Sequence, residues 1–295
     1  MHSAQAVVMG ERVYVGGGLT EKPDNKFHVF QYNTTRDEWS PLPPHTVCYF
    51  AMAQFTGKLI TVGGGIPGSG PTGKVYRFKE EFQEWEEFIT PMPTARPSLT
   101  VATTQSTIIA SGGATSVKDG KVVPCATVEV YCSETSQWYT ADPLPVSCFF
   151  TPSVALANTY YLLGGNDADA LAVTTILYAS LTSLIQKATS PNRQSASCTP
   201  VWKILPDTPL NASAVASLCG NLLAVGGHDS GITTSAVHAF FPFTNSWVRV
   251  TDGDLPEPRY MCTAVQLSSN TMMVIGGSDD HSKHTKSVFT GTITV

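Results

Sequence analysis

Six times along this chain a short run of strand-forming residues stops on a pair of glycines. The runs are "VYVGGG" from Val13, "LITVGGG" from Leu59, "IIASGG" from Ile108, "YLLGG" from Tyr161, "LAVGG" from Leu223 and "MVIGG" from Met273. Counted from the first glycine, the pairs begin at Gly16, Gly63, Gly112, Gly164, Gly226 and Gly276, spaced by 47, 49, 52, 62 and 50 residues. A repeat of that length is one supersecondary unit copied along the chain, and a unit that cannot bury its own faces must stack on its neighbours.

Each unit reads as four strands. Two apolar segments split by a polar turn precede the glycines, as in "YFAMAQF-TGK-LITV" (49–62), which is a hairpin pattern. A variable loop follows, then a third strand such as "TVEVY" (127–131) or "AVHAF" (236–240). A tryptophan then opens a fourth strand at Trp39, Trp85, Trp138, Trp202 and Trp247, and a Pro-rich turn closes each unit. No helical periodicity follows any glycine pair, so a phosphate-binding loop is excluded. The pairs are expected to sit where a side chain would strike neighbouring backbone.

This combination resembles the Kelch repeat, over nearly the whole chain: a glycine pair ending the second strand, an aromatic in the third (Tyr32, Tyr131) and a tryptophan opening the fourth. The resemblance, to the Kelch domains of BTB-Kelch-type adaptors, implies an all-β fold, a six-bladed Kelch-type β-propeller forming one domain over 1–295. Its blades are expected near 1–44, 45–94, 95–145, 146–208, 209–256 and 257–295.

Two units depart from the pattern. The fourth carries an insertion (180–202), Ser-rich over 189–199 and expected to be mobile near 188–198. The sixth has no tryptophan, so its blade is expected to be three-stranded, with Phe289 in the aromatic position and the ring closing by face packing. The alternative is an excerpt of a longer protein whose remainder supplies the strand.

Composition narrows the function. Only 14% of residues are charged, against 42% hydrophobic, and 24 Gly and 20 Pro accompany them, which suits a compact, turn-rich chain. A net charge of −5 without any Lys/Arg cluster argues against nucleic acid as a partner. No apolar run approaches the length of a membrane span and no signal peptide is read at the start, so no membrane is expected. Seven cysteines, an odd number without a CxxC pair, fit reduced thiols and a cytoplasmic setting.

No catalytic constellation, metal site or cofactor is expected. The seven His are scattered, which does not suit the copper site of propellers resembling galactose oxidase. "GHDSGITT" (227–234) lacks the serine of a sialidase Asp box, and "DDHSKH" (279–284) reads as a solvated loop. The expected function is a non-catalytic module binding a protein or peptide, the alternative a small-molecule or carbohydrate-processing enzyme; the oligomeric state is left open.

In a propeller the loops after the second and fourth strands share one face, where function collects. The adaptors that the repeat resembles use arginines and exposed aromatics there to hold short, often acidic peptides. Candidate binding residues here are Tyr49, Arg96, Phe149, Arg259 and Tyr260 from the Pro-rich turns, with Asn166, Asp167, His228, Asp229 and Asp279 from the loops after the glycines. The two arginines also suit a structural role bracing their turns. The carboxylates favour a neutral or basic peptide.

Overall fold

The computed structural model describes residues 3–18, 27–118, 121–169, 171–190, 201–279 and 283–292. Five four-stranded antiparallel sheets and one of three strands follow one another along the chain as the blades of a propeller. The third blade shows the unit: Thr100–Thr103 pairs with Thr107–Ser111, which pairs with Val128–Cys132, which pairs with Gln137–Thr140. The sixth blade holds Thr263–Gln266, Thr271–Ile275 and Val288–Thr292, three strands among the described residues.

One apolar cluster fills each gap between blades. Tyr14, Val29 and Leu42 meet Phe50, Met52 and Leu59 between the first and second; Val13 and Val15 meet Val265, Met273 and Ile275 between the first and sixth. The ring therefore closes by face packing, without strand exchange among the described residues. A backbone bond from Ser3 N–H to Met261 O (3.1 Å) spans the closure. Four of the five tryptophans belong to these interfaces, Trp85 packing against the first blade and Trp202 buried between the third and fourth, whereas Trp39 is 40% exposed.

The glycines stand where sterics require them. Gly112 and Gly113 have φ of +62° and +99°, and a Cβ on either would lie 2.7 Å from a carbonyl oxygen, that of Cys148 and of Pro97 respectively. In the first blade Gly16 ends the second strand and Gly17 carries the positive φ, one residue later than the spacing suggests.

Strand register corrects two further expectations. Phe289 pairs with Val274, as Glu129 pairs with Ala110, so Phe289 stands at the Glu129 position; Gly291 takes the position that Tyr131 holds opposite Trp138. The fourth-blade insertion begins with a helix, Leu181–Thr189. Ser180 caps it by accepting from Ser183 N–H, and Leu181, Leu184 and Ala188 form a buried stripe between the third and fourth blades. Of the stretch expected to be mobile, Ala188 and Thr189 close that helix, whereas 191–198 lie outside the described residues.

His45, in the turn between the first two blades, is 2% exposed and surrounded by the rings of Phe50, Tyr76 and Trp85. Its Nδ1 accepts from Val47 N–H at 3.0 Å, and its Nε2 lies 3.2 Å from Thr61 Oγ1, so the neutral ring is the one that fits. Burial lowers its pKa to about 4. Because the folded value lies below the unfolded one, the fold loses stability as pH drops below the unfolded value, about 1.4 kcal/mol per unit and about 2 kcal/mol by pH 5. Denaturant titrations between pH 7 and 5 should show this loss and a shallower one in His45→Gln. His238, also lowered by burial, keeps a residual slope.

Candidate functional site

Where each Pro-rich turn enters the next blade, the chain passes through a residue with positive φ. Ser3, Tyr49, Ser98, Phe150, Ala212 and Met261, one per blade, have φ between 50° and 57°. Such conformations cost about 1–3 kcal/mol each and persist only where the surroundings enforce them. Here backbone bonds linking blade to blade do so: Ser98 N–H to Tyr49 O (2.8 Å), Phe150 N–H to Ser98 O (3.0 Å) and Met261 N–H to Ala212 O (3.0 Å).

In four of these turns the preceding residue bonds reciprocally to the loop after a glycine pair, while Pro97, without an N–H, only accepts from Ala114 N–H (2.9 Å). The bridges are Cys48 with Gly65, Phe149 with Asn166, Asn211 with His228 and Tyr260 with Ser278. Both sets of loops are thereby fixed to one rim around the central channel.

Inside that rim lies a cavity of about 190 Å³, lined by small and polar residues such as Ser3, Thr100, Ser153, Asn166 and Thr263. Gln5 reaches across it, donating to Leu99 O (3.2 Å) and accepting from Met52 N–H (3.1 Å). A second cavity, of about 320 Å³ and lined by Val7, Ala53, Val101, Thr103 and Val154, lies further along the channel. Neither lining includes a His, carboxylate, Tyr, Lys or Arg. Among the described residues, no three His, Cys, Asp or Glu side chains group to hold a metal.

The candidate residues divide between rim and interior. Tyr49 is half-buried with its ring 5.4 Å from Phe150, and burial pushes its hydroxyl up to about 12. The His228 ring lies 4.5 Å from Tyr260. Asp167 accepts from Asp169 N–H (3.0 Å) and Leu171 N–H (2.9 Å), and Asp279 from Lys283 N–H (2.9 Å), so each carboxylate shapes its own loop. Asp229 is exposed. Phe149 is 5% exposed, its ring against Phe150.

Arg96 and Arg259 are corrections to the surface list, being 0% and 1% exposed. Arg96 Nη1 bonds to Glu129 Oε2 (2.5 Å) and to Thr94 O (3.0 Å), and its Nη2 to Ala110 O (3.0 Å). Arg259 donates to Gly276 O (3.0 Å) and lies 4.2 Å from the centre of the Phe289 ring. These guanidiniums tie a turn to the next blade and present nothing to a ligand.

The sequence reading missed the apolar loop tips. Val117, Leu171 and Ile232 are 69%, 64% and 69% exposed, on the loops after the glycines of three successive blades. Lys121 and Asp169 (2.5 Å) join the first two of these loops. A lone Val, Leu or Ile in a loop gives little sequence signal; its appearance in three consecutive loops was the available clue.

A family model described as the Kelch motif matches residues 1–46. The chain is 28% identical over 158 residues to Kelch-like protein terF of Aspergillus terreus, covering 49% of this chain and 34% of that protein. It is 23% identical over 288 residues to Kelch-like protein 35 of Mus musculus, covering 96% and 44%. Beta-scruin of Limulus polyphemus is 25% identical over 175 residues, covering 56% and 19%. The chain thus spans less than half the length of these relatives. The solved structure of YjhT superposes with a TM-score of 0.76 at 13% identity, covering 97% of this chain and 93% of that one, which speaks to fold alone.

Proposed function

We propose that this propeller, similar to Kelch-repeat proteins and matching the Kelch motif over residues 1–46, is a non-catalytic interaction module holding a protein or peptide segment against the loop face. The three exposed tips Val117, Leu171 and Ile232 carry this reading. Apolar side chains at that exposure on one rim are the composition of a contact surface. The carboxylates of Asp167, Asp229 and Asp279 on the same face favour a neutral or basic segment with apolar side chains. Tyr49, Phe150, His228 and Tyr260 form its aromatic floor.

The channel supports the same reading over an enzymatic one. The linings of both cavities carry hydroxyls, and the first also Cys262, but no His, Tyr, Lys, Arg or carboxylate to serve as acid or base beside them. We place the protein in the cytoplasm on the strength of its six described free cysteines; no helix among the described residues is long and apolar enough to cross a membrane.

The test is quantitative affinity capture. Replacing Val117, Leu171 and Ile232 together by Ser should cut recovery of captured protein about tenfold or more, the equivalent of 1.4 kcal/mol or greater. The melting temperature should stay unchanged, because these side chains touch solvent. Capture at the unaltered level would remove the loop face from consideration.

A further inference from the structure

The innermost strand of each blade turns one edge toward the central channel. Met52 N–H leaves its sheet to donate to Gln5 Oε1 (3.1 Å), so antiparallel alternation points the main-chain groups of Met52 and Gln54 into the channel. Gln54 O agrees, accepting from Thr103 Oγ1 on the neighbouring blade (2.8 Å). In the third blade Leu99 O faces the same way and accepts from Gln5 Nε2 (3.2 Å). One carboxamide, a donor and an acceptor side by side, thus bridges the N–H of one strand to the C=O of the next.

The same pair of groups recurs at the next three blade boundaries. Val101, Ser153 and Val215 pair with Ala110, Leu162 and Ala224, each two residues before a glycine pair, as Met52 pairs with Thr61. Thr151, Ser213 and Cys262 follow a positive-φ residue, as Leu99 does. The pairs are therefore Val101 N–H with Thr151 O, Ser153 N–H with Ser213 O and Val215 N–H with Cys262 O. All six residues line the cavity of about 190 Å³, and none of these groups has a hydrogen-bond partner among the described residues. The boundary between the fourth and fifth blades lacks one bond more. Phe150 N–H reaches Ser98 O and Met261 N–H reaches Ala212 O, but Ala212 N–H and Phe150 O find no partner among the described residues. Side chains do not compensate, because the hydroxyls of Thr100 and Ser153 bond to each other and that of Ser3 reaches Met261 Sδ (3.4 Å).

We infer that this cavity is a site for a primary carboxamide, the side chain of an Asn or Gln in the segment held at the loop face, which accepts from Ser153 N–H and donates to Ser213 O as Gln5 does between the second and third blades. The source of the carboxamide rests on the loop-face reading, whereas its chemistry rests on the cavity wall alone. A carboxylate offers acceptors only and would lie buried without a counter-charge, since the lining holds no cation. An ammonium offers donors only and meets no carboxylate there. The cavity opens between rim residues Phe150, Ala212 and Met261, so a side chain enters from the face where the segment lies.

The probe is N-acetyl-glutamine N-methylamide, titrated into the whole protein with isotope-labelled methionine methyls and followed by NMR. Met52 and Met261 line the cavity, whereas Met92 and Met272 are buried in blade interfaces and serve as controls. Saturable shifts of Met52 and Met261 are expected, with the glutamate and methionine analogues binding about tenfold or more weakly. Ala212→Phe gives the fifth blade the aromatic side chain that Tyr49 and Phe150 already carry at nearly the same φ, so the fold is kept and the shifts should vanish. Should that variant fail to fold, the unaltered protein decides, because nuclear Overhauser contacts must join the probe carboxamide to the Met261 methyl. Replacing Val117, Leu171 and Ile232 by Ser should leave probe binding as it is. Still methyls, equal binding of the three analogues, shifts that persist in folded Ala212→Phe, or missing Overhauser contacts would each overturn the carboxamide site. A silent cavity beside capture that depends on the loop tips would strike this site and leave the loop-face reading standing; probe binding without such capture would do the reverse for the loop face.

Discussion

Arg96→Ala should cost about 3–5 kcal/mol of stability, because it strands a carboxylate in the interior. Glu129 is 1% exposed, and its counter-charge is the Arg96 guanidinium; the two remaining bonds, from Thr94 N–H (3.1 Å) and Thr94 Oγ1 (2.8 Å), are those of neutral donors. The truncation also frees the carbonyls of Thr94 and Ala110. Adding Glu129→Gln should restore part of the loss, since the amide still accepts from Thr94 and carries no charge. Arg259→Ala is the internal comparison. Its carboxylate partner, Glu257, has a side chain 64% exposed and returns to water, so the loss is chiefly that of the contact with Phe289, about 2 kcal/mol for a desolvated guanidinium over a ring. Chemical denaturation of the four proteins measures this directly. Equal losses for Arg96→Ala and Arg259→Ala would show that the buried pair does not brace the third blade.

Gly113→Val is expected to be of similar size, about 4 kcal/mol or enough to prevent folding, by a different route. A β-branched residue at φ +99° is strained in itself. Its Cβ would also approach Pro97 O to 2.7 Å, and this oxygen cannot swing aside because it accepts from Ala114 N–H (2.9 Å). Gly57→Ala and Gly220→Ala separate strain from collision. Both glycines lie in hairpin turns at φ +74° and +76°, with nothing within 4 Å of an added Cβ, so only the conformational cost of about 1 kcal/mol remains. If all three substitutions cost the same, close approach at the hub is not why the glycines are paired.

The propeller was legible because its physics repeats. Each glycine pair marks a close approach at the hub, and four of the five tryptophans mark a blade interface, so six imperfect copies reinforce one another. Register was harder to read, since the Pro-rich turns differ by a residue in length. Aligning "CYF" with "CFF" equates Tyr49 with Phe149, whereas the positive-φ residues and their bonds equate Tyr49 with Phe150. In the sixth blade the only aromatic of the third strand, Phe289, lies two residues before the aromatic position, which Gly291 occupies. The helix Leu181–Thr189 has both its cap and its buried stripe in the sequence, but it interrupts a β repeat and is followed by a Ser-rich segment without periodicity.

The candidate site was legible only as a face. Bridges such as Phe149 with Asn166 and Asn211 with His228 join the Pro-rich turns to the loops after the glycine pairs. Whether an arginine there points to solvent or into the blade was not readable, because that depends on a partner 33 residues away in the case of Arg96 and Glu129. The exposed tips Val117, Leu171 and Ile232 were passed over because apolar residues in loops are common on protein surfaces.

Photocrosslinking with p-benzoylphenylalanine tests the central claim most directly. The crosslinker is placed at position 171 on the loop face and, separately, at position 243, where Phe243 is 100% exposed in the turn between the third and outer strands of the fifth blade. The account predicts a partner adduct from position 171 and none from position 243. Adducts from position 243 with none from position 171 would contradict it.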